Sequence, residues 1–279
     1  MVQFSPRPAA GLRHNGAPPL PARAMKLATW NVNSLKARLD HVREWLALEQ
    51  PDVLGLQETK TVDESFPHEA LTELGYQVVY YGQKTYNGVA LLAREPAPVE
   101  VWTGLSDGQA RVIAATVGEV RVVNCYVVNG QAVGSDKYDF KLRWLAELHE
   151  RLEQELHDHA QVAVMGDFNI APFVEDTHDP EKWEGNILCS EAEREALNAL
   201  LALGLRDAFD PERHGHDRFS WWDYRQAAFR RNLGLRIDHI LLSAPLHARL
   251  RDWKVDKVPR KWERPSDHAP VVVQLGPAD

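Results

Sequence analysis

Polar side chains able to handle a phosphoester recur in five short clusters, each placed directly behind or before an apolar run. The first run ends in Trp30-Asn31-Val32-Asn33 and the second in Gln57-Glu58-Thr59. The run from Val162 to Gly166 delivers Asp167, Phe168 and Asn169. Leu235-Arg236-Ile237 is followed by Asp238 and His239, and Ser266-Asp267-His268 stands just before the last apolar run. Carboxylates and amides are hard oxygen donors of the kind Mg²⁺ prefers. A phosphodiester needs its non-bridging oxygens neutralised, a water activated and its leaving oxygen helped, and Asp, Glu, Asn and His can supply these. A lone Asp or Asn behind a strand is ordinarily a turn residue or a helix cap. Five such clusters in one chain point instead to a metal-assisted hydrolase. Other hydrolytic chemistries lack their signatures here: no GxSxG elbow, HExxH, Cys-rich zinc spacing or Gly-rich phosphate loop occurs.

The elements that must position these residues alternate between strand and helix. Lys26–Val32 and Val53–Gln57 read as strands. Ser34 reads as an N-cap followed by Leu35, Leu39, Val42 and Leu46 at helical spacing. Tyr76–Tyr81, Gly88–Arg94, Val99–Thr103, Val112–Val117 and Val120–Val128 are short, β-branched or aromatic and closely abutting, which predicts antiparallel hairpins. Asp136–His157 carries Tyr138, Leu142, Leu145, Leu148, Leu152 and Leu156, the stripe of a long amphipathic helix. Gln161–Met165 is again strand-like and Ser190–Leu203 helical; Leu235–Leu242, Leu250–Val255 and Val271–Leu275 close the chain as strands. Two mixed sheets packed face to face with helices outside would gather the polar strand ends at one rim.

The chain has 279 residues, 44% hydrophobic and 26% charged, ample for one large core. One domain is expected over residues 25–276, with a short tail at 277–279. Residues 1–24 hold five prolines, three arginines and no acid, and predict disorder. No apolar run approaches the roughly 18 residues of a membrane span. Two cysteines, Cys125 and Cys189, make neither a disulfide framework nor a zinc site and suit a reducing cytoplasm. The net charge of -8 argues against a nucleic-acid partner only on average. Arg249 to Arg264 holds seven basic residues against three acidic ones, and Arg218 to Arg236 five against Asp223. Solvated faces are the ordinary fate of such runs, so charge alone leaves the partner open.

The segments TWNVNSLKARL, QETK, YNGVALL, MGDFNIAP, FSWWDYR, GLRIDHILLS and PSDHAPV, in this order from Met25 to about Leu275, resemble exonuclease III and its abasic-endonuclease relatives. That resemblance implies a four-layer αββα sandwich with the site at one rim. It implies Mg²⁺, with Mn²⁺ expected to substitute, held mainly by Glu58 with Asn33 and Asp267 nearby, and Asp267 at a second or shifted metal position. Asp167 would activate or position the attacking water, or protonate the leaving group. Asn31 and Asn169 would hold the phosphate and orient Asp167. Asp238 would fix the tautomer of His268, and Tyr126 and Asn129 would contact the phosphate as it gains charge.

The same resemblance implies double-stranded DNA as partner, especially at abasic sites or blocked 3′ ends, and a monomer in a bacterial cytoplasm, working at the nucleoid. Trp221, Leu235 and Ile237 match the apolar positions that receive a flipped-out sugar, with core packing expected for at least one of Trp221 and Trp222. Arg218, Arg225 and Arg236, and more weakly Arg111 and Lys137, are expected to meet backbone phosphates. Two departures stand out: Val127-Val128-Asn129 occupies a stretch that usually carries Pro-Asn, and the acidic segment from Val174 to Glu195 has no legible role. Two other readings share the catalytic set. One is a same-fold phosphoesterase on a non-DNA substrate, of sphingomyelinase or inositol phosphatase type; the other is a catalytically dead binding module.

Overall fold

A computed structural model of the chain describes residues 24–215 and 217–277, so the expected disorder of 1–24 lies outside the described residues apart from Ala24. Fourteen strands and seven α-helices occur among the described residues. The strands are β1 (Met25–Asn31), β2 (Val53–Gln57), β3 (Gln77–Tyr81), β4 (Val89–Ala93), β5 (Val99–Thr103), β6 (Val112–Val117), β7 (Val120–Tyr126), β8 (Val162–Asp167), β9 (Leu205–Asp207), β10 (Trp221–Trp222), β11 (Gly234–Leu235), β12 (Asp238–Ser243), β13 (Leu250–Val255) and β14 (Val271–Leu275). The helices are α1 (Leu35–Glu49), α2 (His68–Thr72), α3 (Asp136–Asp158), α4 (Pro180–Trp183), α5 (Glu191–Ala202), α6 (Pro211–His214) and α7 (Ala244–Ala248).

Two six-stranded sheets form, in the orders β13-β14-β1-β2-β4-β3 and β5-β6-β7-β8-β12-β9. Each is mixed: β1–β2 and β7–β8 are parallel, while the abutting pairs β3–β4, β5–β6 and β6–β7 are antiparallel as their spacing predicts. The parallel pairs matter most, because they bring the carboxyl ends of β1, β2, β7 and β8 to one rim. Between the sheets lies a core of Leu27, Val53, Val89 and Leu91 from one side and Ile113, Ala115, Val122, Ala163, Met165 and Ile240 from the other. Trp45, Val42 and Leu46 of α1 cover the outer face of the first sheet, against Trp30, Leu54 and Leu56. Trp144, Leu145, Leu148 and Leu152 of α3, with Leu197 and Leu200 of α5, cover that of the second. These are the four layers expected from the sequence, and alternate residues of β1, β2, β7 and β8 serve opposite cores.

The expected strand Leu235–Leu242 is two pieces. Leu235 pairs with Trp221 in a small hairpin, whereas Asp238 pairs with Asp167 in the large sheet, and the chain changes partner at Arg236 and Ile237. The apolar alternation of Leu235, Ile237 and Leu241 runs through the break, which hid it. The strand expected at Gln161–Met165 continues through Gly166 to Asp167, and Ser190 is the cap of α5 rather than its first residue. Ser34 caps α1 as expected, accepting from the Ala37 amide.

Candidate active site

Asn31 and Glu58 end and follow β1 and β2 of one sheet; Asp167 and Asp238 end and open β8 and β12 of the other. Asn31 ties the halves together: its Nδ2 donates to Glu58 Oε1 at 2.9 Å and to Asp167 Oδ2 at 2.9 Å. On the other flank, His268 Nδ1 lies 2.8 Å from Asp238 Oδ2, and its Nε2 lies 3.7 Å from Asp167 Oδ2. Asp238 is held in turn by the Ser220 hydroxyl, which donates to Oδ2 at 2.6 Å and accepts from the Ile237 and Asp238 amides. Ser266 does the same for the neighbouring loop, donating to the Asn31 carbonyl and accepting from the His268 amide.

A second group surrounds Asn33. Its Nδ2 donates to Asp267 Oδ1 at 3.0 Å, and Asp267 Oδ2 accepts from the Trp221 indole at 3.0 Å. The Lys60 ammonium bridges Glu58 Oε2 at 2.8 Å and Asn33 Oδ1 at 2.6 Å. These oxygens therefore already accept a cation, and a carboxylate–amide–carboxylate set from Glu58, Asn33 and Asp267 is suited to a hard divalent ion. Asp167, Asp238 and His268 also lie close, their ligating atoms all within 4.8 Å of one another. That trio is less suited to such an ion, because imidazole prefers softer metals and Nδ1 is committed to Asp238.

The backbone around the site is unusual. Asn33 (φ 45°), Glu58 (φ 53°), Lys60 (φ 52°) and Asn169 (φ 50°) all occupy the left-handed region that side-chain-bearing residues rarely adopt. Hydrogen bonds enforce it: the Thr59 and Lys60 amides donate to the Gly88 and Asn87 carbonyls, and the Asn33 amide to Asn31 Oδ1. Gly166 allows β7 and β8 to approach where Tyr126 faces Asp167. A Cβ there would lie 1.8 Å from the Cys125 carbonyl oxygen.

Burial and neighbouring charge together set the protonation states. Burial pushes the Asp167 carboxyl up to about 7, opposed by His268 and by the Asn31 hydrogen bond and assisted by Asp238 and Glu58. For His268 burial alone would favour the neutral ring, but Asp238 and Asp167 outweigh it and raise the imidazole to about 10. Tyr126 is pushed well above its ordinary value by burial and by Glu58 and Asp167, so its hydroxyl stays a donor at neutral pH.

Asn31, Asn33, Glu58, Asp167, Asp238, Asp267 and His268 thus converge, and Asn129 and Asn169 join them, Asn129 Nδ2 donating to Asn169 Oδ1 at 3.1 Å. Tyr126 is half-buried at the end of β7, with the Arg111 guanidinium 4.8 Å over its ring. Lys137 is exposed on the first turn of α3, and Arg225 is exposed with its guanidinium on Asp223. Arg236 does not match its expected role. It is fully buried and sealed between Asp176 and Asp207, so it clamps the acidic segment to the sheet and cannot reach a phosphate. Arg218 is also internal, against Asp176 and the Phe209 ring. Of the apolar trio only Trp221 offers surface. Leu235 and Ile237 are buried behind it with Ala171, Leu188 and Cys189, backing a wall rather than lining it. Trp222 is core, stacked edge-on against Phe229.

Sequence reasoning missed Lys60, Ser220, Ser266 and Tyr224, whose hydroxyl donates to the Pro265 carbonyl and lies 3.4 Å from Asp267 Oδ1. All four stand inside motifs already singled out. Their chemistry, a hydroxyl or ammonium supporting a neighbour, leaves no spacing signal.

Residues 28–268 match the Endonuclease/Exonuclease/phosphatase family. The exodeoxyribonuclease III of Haemophilus influenzae is 38% identical over 264 residues, which cover 88% of this chain and 98% of that protein. Among solved structures, the Neisseria 3′-phosphatase NExo, bound to a product DNA hairpin, superposes with a TM-score of 0.87 at 48% identity, over 90% of this chain and 99% of its own. An AP endonuclease from Archaeoglobus fulgidus superposes at 0.85 and is 38% identical, over 90% of this chain and 99% of its own.

Proposed function

The chain belongs to the endonuclease/exonuclease/phosphatase family, and from that premise we propose a DNA repair nuclease that hydrolyses phosphodiesters. Its activities are those of the exonuclease III group: 3′→5′ exonuclease on duplex DNA, abasic-site endonuclease and 3′-phosphatase. The observation that carries the reading is the Asn31 amide bridging Glu58 and Asp167 across the two sheets, with His268 on the far side of Asp167. The likeness to exodeoxyribonuclease III over nearly its full length adds the substrate class. Abasic sites and blocked 3′ ends as preferred substrates, Mg²⁺ as the ion, action as a monomer and a place in the bacterial cytoplasm are parts of the same proposal. No helix among the described residues is long and apolar enough to cross a membrane.

The residues divide the work. Glu58, with Asn33 and Asp267, would hold the ion, which when bound neutralises a non-bridging phosphate oxygen and favours ionisation of the attacking water. Asp167, titrating near neutrality, takes the proton of that water as its oxygen attacks phosphorus, while the bond from phosphorus to the 3′ oxygen breaks and that oxygen leaves, taking up a proton from solvent. His268, kept charged by Asp238, presents Nε2 to the same phosphate. Asn169 and the neutral Tyr126 hydroxyl add fixed donors, each of which is worth roughly 3 kcal/mol where such groups have been removed elsewhere, while Asn31, with both amide protons committed, orients Asp167 and Glu58 rather than donating to the phosphate. Trp221 offers its half-buried face to the sugar beside the cut.

The deciding experiment incubates the protein with labelled duplexes carrying one abasic analogue or one 3′-phosphate, with and without Mg²⁺. Metal-dependent cleavage 5′ to the lesion or release of phosphate is the expected result, and neither product from a folded protein refutes the reading. In the same assay Glu58→Ala lowers turnover by more than the roughly 10–100-fold that losing an outer partner of a metal ligand costs. Extra Mg²⁺ restores part of it, and the melting temperature stays near that of the unaltered protein. Unchanged turnover would remove Glu58 from the site.

A further inference from the structure

The stripe by which α3 packs on the sheet contains two charged residues, Lys141 and Glu155, of which Glu155 pairs with Arg121 of β7. Lys141 lies between Tyr138 and Leu145 at helical spacing and is fully buried beside Trp144, Leu145 and Leu148. A buried ammonium is costly unless every proton has an acceptor. Lys141 has three acceptors for its three protons: the Asn169 carbonyl at 2.7 Å, the Asn129 carbonyl at 3.2 Å and Glu193 Oε1. The two carbonyls belong to loops on different strands, one following β7 and the other following β8. Both loops carry amides of the candidate site, and those amides meet each other through Asn129 Nδ2 and Asn169 Oδ1.

Glu193 is equally buried and equally occupied. Its Oε1 also accepts from the Leu188 amide, and its Oε2 accepts from the Ser190 amide and hydroxyl; Ser190 in turn meets the Tyr138 hydroxyl at 2.7 Å. Glu193 sits in the first turn of α5, at the end of the acidic segment whose role the sequence did not disclose. Approach is tight: Gly130 runs beside Lys141 with φ 92°, and a Cβ there would lie 3.1 Å from Lys141 Cδ.

We propose that Lys141 is a positioning residue for the phosphoryl chemistry, tying the Asn129 and Asn169 loops into one rigid donor pair, and that the acidic segment serves to deliver Glu193 as its counter-charge. The inference rests on the proposed nuclease reading for its activity test but not for its structural one. Lys141 itself touches no substrate. Replacing only one partner strands a buried charge, so the informative variant removes both: Lys141→Met with Glu193→Gln.

That double variant is compared with the unaltered protein by thermal melting, by turnover and affinity on the two labelled duplexes, and by NMR exchange of the Asn169 side-chain amide, which donates to the buried Val127 carbonyl at 3.1 Å. The expected result is a melting temperature near the original, kcat lowered about 10–100-fold, Kd for duplex within threefold, and Asn169 amide exchange at least tenfold faster. Lys141→Arg alone is expected to recover none of the kcat, because a planar guanidinium cannot meet three acceptors converging on one point. Unchanged kcat in the double variant overturns the proposal, as does an equal loss of kcat and affinity. If the unaltered protein cuts neither duplex, the nuclease reading fails by itself. Asn169 exchange then still decides, and an unchanged rate rejects the positioning role.

Discussion

At the scale of single residues, the site is a set of groups whose charges are set by their neighbours. Asp238 is expected to act through His268, so Asp238→Asn should cost about 10³–10⁴ in kcat, as losing the carboxylate partner of a catalytic imidazole does elsewhere. Full activity would break the pair. The linkage has a definite sign. His268 titrates near 10 in the fold against 6.5 unfolded, so its pairing contributes stability that is complete below pH 6.5 and is lost as pH rises through about 10. The stability gap between Asp238→Asn and the unaltered protein is therefore expected to be largest near pH 6 and to close above pH 10. Urea unfolding across that range measures it, and a gap that widens with pH contradicts the assignment. Chemistry at this scale was legible because the residues are of the right kind and stand at strand ends. The error at Arg236 has the opposite cause. Its neutralising carboxylate, Asp176, lies 60 positions away, and a basic residue looks the same in sequence whether it faces a phosphate or a buried acid.

At the scale of elements, two parallel strand pairs create the rim, and the closeness of β7 to β8 decides how Tyr126 faces Asp167. Gly166→Ala would drive a methyl into the Cys125 carbonyl, a contact no rotamer can relieve. Destabilisation beyond about 3 kcal/mol is expected, the range of overpacked or strained interior sites. Denaturant unfolding tests this, and a loss under 1 kcal/mol would mean the strands can part without consequence. Strand and helix periodicity disclosed nearly all the large elements. It failed at the β11–β12 break, where the same alternation serves two different pairings. The three-residue strand β9 was also missed, too short to carry a pattern.

At the scale of the molecule, the net charge of -8 conceals how its basic residues are spent. Arg218, Arg236, Arg249 and Arg260 are buried, and Lys254 and Lys257 pair with Glu49 and Asp217, whereas Arg225, Arg230, Arg231, Arg251, Lys261 and Arg264 of the same two runs stay exposed. Exposed cations, Lys137 among them, are expected to supply the contacts to a duplex. The logarithm of the association constant is expected to fall linearly with the logarithm of salt, by about 0.9 per phosphate neutralised. Lys137→Ala should reduce that slope by about one while leaving melting unchanged. A flat response in the unaltered protein would place the duplex elsewhere.

The left-handed backbone at Asn33, Glu58, Lys60 and Asn169 has a consequence for how this protein would respond to selection. Each such residue costs on the order of 1 kcal/mol that glycine would not incur. Other non-glycine residues such as Gln50, Thr85 and Glu100 share this conformation, but at the rim a mutation that increases robustness also destroys purpose. A library screened only for survival at high temperature is expected to drift toward glycine at these four positions. Its hardiest members would be inert, so heat tolerance and turnover have to be selected together.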